Sequence, residues 1–416
     1  MDLQNIYNAN KKTIIGSQNE FIKSYQKKLI KNYKINPKII RSNESLKHID
    51  PNIVNSINYF LNSSPLKTNY KKNNSEKKSN ITIKDGLNYY LNNVNNDNFS
   101  FKKINEDEDL IYNKIKKYEN TFINDYIVNI NSIFLNSGFN LILKKNKEEQ
   151  INLDHLIENN NSTIYSKNFY KIEKDSKLLI IEKFNNSVKS NINLTNYFEI
   201  EDGAEVTHLV IQNNAINANL QFTSQIDCNP SSKFEQFVFN ISKGSIRNHH
   251  YANLNGQNII MNLHGVFFAS QNQVVDNKTL VNHLHPDCFS NQTYKAILTD
   301  QSQASYLSKT FVDKKAQKTE GYQLSKGIIL SDKATFHSKP ELRIYADDVK
   351  CSHGSTIGPI DLDMLFYLRT RGLNKNESIY LLLKSFYFDL FKNIKDKNFK
   401  NEVNNLANNW FEENIK

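Results

Sequence analysis

The sequence predicts a mainly β chain with a helical region at each end, and three observations predict it. Apolar residues recur at helical spacing up to about residue 123, at strand spacing from 124 to about 350, and at helical spacing again after Gly358. In the middle stretch glycine falls at turns and proline is nearly absent, as strand interiors require. One turn pattern also recurs there, in Ile200-Glu201-Asp202-Gly203-Ala204, Leu298-Thr299-Asp300 to Ala304, and Leu330-Ser331-Asp332-Lys333-Ala334. Turns returning at tens of residues suit a β-helix, in which each coil buries its inner face on its neighbours. A sandwich or a barrel fits the same spacing.

A chain of 416 residues has a prior of two to three domains at roughly 100–200 residues each. The period changes divide it into an N-terminal helical region (1–123), a β core (124–358) and a C-terminal helical domain (359–416). In the first region, residues 12–33 place Ile15, Ile22, Tyr25 and Leu29 on one stripe. Residues 52–62 (Ile53, Ile57, Phe60, Leu61) and 107–123 (Leu110, Ile111, Ile115, Tyr118) are predicted as helices too. The Asn/Lys/Ser-rich stretch 63–85 between them reads as a basic mobile loop. In the core, Phe237, Phe239 and Ile241 alternate with Val238 and Asn240. Phe237 and Phe239, together with Ile344, are expected to face inward and be inaccessible. After Gly358, Asp361 caps a helix through Met364, Leu365, Phe366 and Leu368 that stops at Gly372. Asn374 and Glu377 form a capping box for a second helix, and Val403, Leu406 and Trp410 mark a third.

The formal charge of +10 is uneven: residues 1–100 hold 16 basic and 7 acidic residues, and the rest hold 37 and 36. The excess clusters around Lys71, Lys72, Lys77 and Lys78 without the interleaved aromatics of a nucleic-acid groove, so a solvated loop is expected and no nucleic-acid partner. Asn-rich stretches run throughout and carry no functional weight. Cys228, Cys288 and Cys351 are odd in number, far apart and without a CxxC, which excludes a zinc ribbon or a four-cysteine cluster from this chain alone. Their scarcity fits a reducing compartment. No signal-peptide pattern follows Met1 and no uncharged apolar run approaches the ~18 residues of a membrane span, so a cytoplasmic protein with no membrane partner is expected.

No GxxxxGK[ST], GxGxxG or GxSxG is present, which removes a P-loop and the common dinucleotide and hydrolase motifs. The densest reactive segment is Tyr345 to Gly354. On a strand, Cys351 and His353 project to one face, and thiolate with imidazole suits Fe, Zn or Cu. Lys350 beside them is expected to lower the thiol below its usual value of about 8.5. A small buried hydrophobe and a hydrogen-bonded turn residue is the alternative for this pair. Asp347 and Asp348 face opposite ways and suit a corner, where their carboxylates would meet backbone N–H groups. His283 and His285 repeat the same-face spacing, while His249-His250 point apart and His208, His264 and His337 stand isolated.

The run Lys339-Pro340-Glu341-Leu342-Arg343-Ile344-Tyr345-Ala346-Asp347-Asp348-Val349-Lys350-Cys351-Ser352-His353-Gly354-Ser355-Thr356, followed by Leu365-Phe366-Tyr367-Leu368-Arg369-Thr370-Arg371-Gly372, resembles the SufD branch of the SufB/SufD family of iron–sulfur cluster assembly proteins. Ser290 to Lys295, Ala316 to Thr319 and Ile328 to Ser331 follow the family's order. The resemblance spans about residues 125–390. It departs at Tyr306-Leu307-Ser308 and Ser325-Lys326-Gly327, and the first hundred residues show no match.

The resemblance implies a right-handed parallel β-helix between helical domains. It implies a non-catalytic scaffold in the SUF system, with a SufB-like paralogue and a SufC-like ATPase as partners and a desulfurase system supplying sulfur indirectly. Cys351 and His353 would lie where a transient iron–sulfur cluster, shared with the paralogue, is built. No tightly held metal is expected on the isolated chain, ATP would act only through the partner, and no residue supports a flavin. The C-terminal helices would dock the ATPase through Asp363, Phe366, Tyr367, Arg369 and Arg371. The rival classes are a cupin-type metal-dependent enzyme using His283 and His285, and a carbohydrate-active β-helix protein, which needs converging carboxylates.

Overall fold

Successive strands of the core alternate between two sheets, so each pair of strands makes one coil. The computed structural model describes residues 3–33, 60–61, 79–94, 97–122, 124–392 and 394–415. One sheet runs from Ser137–Leu143 and Ser162–Ile172 up to Gln303–Val312 and Thr335–Ile344. The other runs from Glu148–Leu156 and Lys177–Phe184 up to Thr319–Ile329 and Val349–Gly358. Neighbouring strands from Ser137 to Gly358 pair in parallel, giving a parallel β-solenoid of about 8 turns. The turn repeat marks its corners, and a sandwich would need antiparallel pairs.

At one corner of each of the first seven coils a residue stands in the left-handed region: Asn146, Asp175, Gly203, Ser231, Asn258, Asp287 and Lys318. Gly, Asn and Asp enter that region at low cost, which is why most of the corners are written in those residues. The corners also bond to one another: the Asp175 N–H donates to the Asp202 carbonyl and the Gly203 N–H to the Pro230 carbonyl, each at 3.0 Å. Inside, apolar residues from both sheets form two clusters, one with Tyr170, Phe198 and Leu263 and one with Phe184, Phe222 and Tyr306. Tyr170 and Phe198 stack from adjacent coils at 4.6 Å between centroids. Burying such a ring contributes about 1.5–3 kcal/mol.

The two ends of the solenoid differ. At the N-terminal end, Asn88–Asn92 and Phe99–Lys103 lie antiparallel to Ser79–Lys84 and Ser137–Leu143 and close the first coils. At the other end, Thr335–Ile344 and Val349–Gly358 are each the last strand of a sheet, with one described neighbour. Ile344 is therefore 37% exposed, contrary to the expected inaccessibility, because no further described coil covers it.

Phe237 and Phe239 are buried, but on the outer face: the C-terminal helices cover them with Phe391, Phe399, Val403 and Trp410. The predicted caps form as read, with Asp361 accepting from Asp363 and Met364, a capping box at Asn374 and Glu377, and Gly372 at φ +96. The C-terminal helices are Leu362–Thr370, Lys375–Phe388 and Lys397–Asn414.

The N-terminal reading needs four corrections. The helix expected over 12–33 begins at Glu20, because Asn19 caps it and Ile15 instead donates to the Leu135 carbonyl. Phe60–Leu61 pair as a short strand with Ser162–Thr163, and the rest of the 52–62 helix lies outside the described residues. Of the loop expected over 63–85, residues 63–78 lie outside the described residues, and Ser79–Lys84 is a strand. The boundary at 124 also shifts: Asp125 caps a helix, Tyr126–Ile133, and the first coil strand starts at Ser137. A short apolar run suits either element, and the cap decides. The helix predicted over 107–123 is present as Glu108–Tyr118.

Candidate functional site

The strand register places Cys351 and His353 at the tops of two inner columns. Cys351 follows Leu178, Val206, Phe234, Met261, Ser290 and Gly321. His353 follows Ile180, His208, Gln236, Leu263, Gln292 and Gln323. The lower members of both columns are buried. The two candidate ligands thus share the inner face of the last strand, as their spacing predicts, and stand where the solenoid opens.

Their surroundings differ. Cys351 is half-buried against an apolar corner of Val312, Ala316, Ala346 and Val349. Burial pushes its thiol above the ordinary value, despite a hydrogen bond from the Gly321 backbone. The expected lowering by Lys350 does not occur: Lys350 projects to the other face and pairs with Glu320 Oε1 at 3.0 Å. The His353 side chain is exposed and makes no hydrogen bond or ion pair with the described residues. Below it, Gln323 donates to Thr310 Oγ1 at 2.8 Å and accepts from Ser308 Oγ at 3.2 Å. Gln292 donates to the same Thr310 oxygen at 2.8 Å, so a bonded polar floor underlies the imidazole.

The remaining candidates fall elsewhere. Asp347 and Asp348 sit exposed at the last corner, where the backbone carbonyl of Asp348 accepts from Lys318. His283 ends a strand, fully buried, with Nε2 2.8 Å from Ser290 Oγ, and burial pushes its imidazole down to about 4. His285 lies in the turn beyond, so the two do not form the same-face pair a cupin-type centre needs. Among the described residues, no group of three or more His, Cys, Asp or Glu side chains is arranged to hold a metal ion. His249 is bound to Asp276 Oδ2 at 2.7 Å on the outer face, while His250 points into the core.

His208 is not isolated. It and His155 bridge Glu182, each Nε2 lying 2.8 Å from a different carboxylate oxygen, all buried. Burial alone would raise Glu182, but these hydrogen bonds reverse it and hold the carboxyl down to about 2. Their separations of 27 and 26 residues are one coil each. That period is the one signal in the sequence that places them together.

The docking candidates lie on Leu362–Thr370, which buries none of its residues, and at its C-cap, Arg371. Asp363, Arg369 and Arg371 are exposed, Phe366 and Tyr367 are 69% and 50% exposed, and Arg371 stacks 5.1 Å over the Tyr367 ring. No described helix is long and apolar enough to cross a membrane.

Residues 155–386 match the family model described as SUF system FeS cluster assembly, SufBD core domain. The chain is 34% identical over 158 residues to the iron–sulfur cluster assembly protein SufD of Escherichia coli, covering 38% of this chain and 37% of that one. It is 41% identical over 122 residues to an iron–sulfur cluster assembly SufBD family protein of Synechocystis, covering 29% of this chain and 27% of the other. The chain thus matches about a third of the length of these curated relatives.

Proposed function

Because the chain belongs to the SUF-system family of iron–sulfur cluster assembly proteins defined by the SufBD core domain, we propose that it is a non-catalytic scaffold subunit that helps build a nascent cluster at its open end. The observation that carries this reading is the pairing of Cys351 and His353 on the inner face of the last strand, where both sheets end without a further described strand. Unpaired backbone edges recruit strands from another chain. A SufB-like paralogue with a matching solenoid end would continue both sheets and supply the missing ligands. The cluster is cargo, so an incomplete donor set on each subunit favours its release.

The chain lacks a P-loop, so ATP would act through a SufC-like ATPase. Helix Leu362–Thr370 is the proposed dock: Phe366 and Tyr367 offer apolar anchors, with Arg369, Arg371 and Asp363 as charged rim. Sulfur would come indirectly from a desulfurase system. The test is co-expression of the chain with such a paralogue and ATPase, scored for a ternary complex carrying iron and sulfide. Failure of the three chains to co-purify would remove the reading.

A further inference from the structure

The two edges of the open end offer an added strand different hydrogen bonds. Along a strand, successive backbone N–H and C=O groups point to opposite sides. The Thr335 N–H donates to the Ser302 carbonyl and the Tyr345 N–H to the Val312 carbonyl, each at 3.0 Å. Odd-numbered residues of Thr335–Ile344 thus face the neighbouring strand, and Phe336, Ser338, Pro340, Leu342 and Ile344 face the open edge. In the other sheet the Glu320 N–H donates to the Cys288 carbonyl at 2.9 Å, so the main chains of Gly321 and Gln323 turn toward Val349–Gly358. In that register Lys350 and Ser352 answer them, which leaves the main-chain groups of Cys351, His353 and Ser355 at the open edge. Pro340 breaks its own edge in the middle: it has no N–H to offer, and its ring crowds the carbonyl an added strand would present. The loss costs this chain no hydrogen bond to a described strand, because that side faces none. A strand laid across it would bury a carbonyl without a donor, which is costly. Ser308, beneath Pro340, donates to Gln323, beneath His353, at 3.2 Å, so Pro340 and His353 face each other across the mouth.

We propose that the open end takes a strand of the SufB-like paralogue as an unbroken ladder on Val349–Gly358, and that Pro340 denies such a ladder to the other edge. This rests on the scaffold reading above and adds to it which edge carries the binding. The paralogue's strand bonds the main chain at Cys351, His353 and Ser355, so docking itself fixes the two candidate ligands. Across the mouth, main-chain pairing is confined to the short pieces of edge on either side of Pro340. A second copy of this chain fits less well, because it would bring its own Pro340 to the seam and double the break.

The full chain and its variants are titrated with the SufB-like paralogue and, separately, with a labelled second copy. Ser355→Pro removes an open-edge N–H from Val349–Gly358 and no bond to the neighbouring strand, and is expected to weaken paralogue binding by about tenfold or more. Ser338→Pro does the same on the broken edge and is expected to change the affinity by less than about twofold. Pro340→Ala restores the missing N–H and is expected to tighten binding severalfold. Equal losses in the two serine variants, unchanged affinity in Pro340→Ala, or tighter binding of the second copy than of the paralogue overturns the proposal. Should a serine variant not fold, Pro340→Ala decides alone. A wild-type chain that does not bind the paralogue removes the scaffold reading and this one together, whereas every other failure leaves the scaffold reading standing.

Discussion

Gly321 lies directly beneath Cys351 in the inner column, so close that a Cβ on the glycine would stand 3.3 Å from Cys351 Sγ. The same Cβ would meet Thr310 Cγ2 at 3.5 Å and Ser290 Oγ at 3.6 Å. The glycine thus sets how deeply the sulfur sinks into the apolar corner. Gly321→Ala is expected to push the sulfur outward by a few tenths of an ångström while changing stability by about 1 kcal/mol or less. Cys351 should then react with iodoacetamide severalfold faster than in the wild type, with Cys228 and Cys288 still protected by burial. An unchanged rate would show that the glycine does not govern sulfur depth.

Burial, and not a neighbouring cation, controls the Cys351 thiol. The alkylation rate should rise with pH through a midpoint above the ordinary thiol value of about 8.5. Lys350→Ala should leave that midpoint in place, because Glu320 already takes up the lysine charge. A midpoint that climbs in Lys350→Ala would restore the lysine as the controlling group.

Acid should destabilise the fold well before carboxylates alone would account for it. Burial pushes His250 down to about 3 and His249 and His283 to about 4 in the folded chain. In the unfolded chain each titrates near roughly 6.5. Between those values the unfolded chain binds more protons, so stability is full above about pH 6.5 and falls as pH drops toward the folded values. The slope is at most about 1.4 kcal/mol per pH unit for each histidine. Glu182, held at about 2, adds loss of the same sign at lower pH. Urea unfolding at pH 7.5, 6 and 5 measures this, and a flat profile would contradict it.

Phe366→Ala should weaken binding of the proposed SufC-like ATPase by about tenfold or more with little change in Tm, because the side chain is 69% exposed. Point substitutions are cleaner here than deletion of 361–416. Helix Lys397–Asn414 covers Phe268 with Trp410 and Phe411, at 5.1 and 5.4 Å between centroids, so deletion would strip the outer face of the core. Wild-type affinity in Phe366→Ala, measured by titration calorimetry, would move the dock elsewhere.

Local signals in the sequence were the readable ones. The caps at Asp361 and Asn374 and the stop at Gly372 are short-range chemistry, and the same-face placement of Cys351 and His353 follows from the two-residue strand period. The inner and outer faces were harder to tell apart. Phe237 and Phe239 sit on a strand buried on both sides, so hydrophobicity alone does not orient it. Long-range pairings were not legible at all: Arg247 Nη2 meets Asp125 Oδ2 at 2.6 Å across 122 residues, fastening the Tyr126–Ile133 helix to the solenoid. Lys350 misled because adjacent residues on a strand face opposite ways, which puts its charge outside while the thiol faces in.

The most direct measurement concerns His353 within the assembled complex. His353→Ala removes an exposed side chain without hydrogen bonds to the described residues, so the fold and the partner contacts should persist. If the proposal holds, the substituted chain co-purified with the proposed SufB-like paralogue and SufC-like ATPase should keep wild-type ATPase activity while carrying markedly less iron and acid-labile sulfide. Wild-type iron and sulfide in that complex would contradict the ligand role and leave His353 a residue of the solenoid rim.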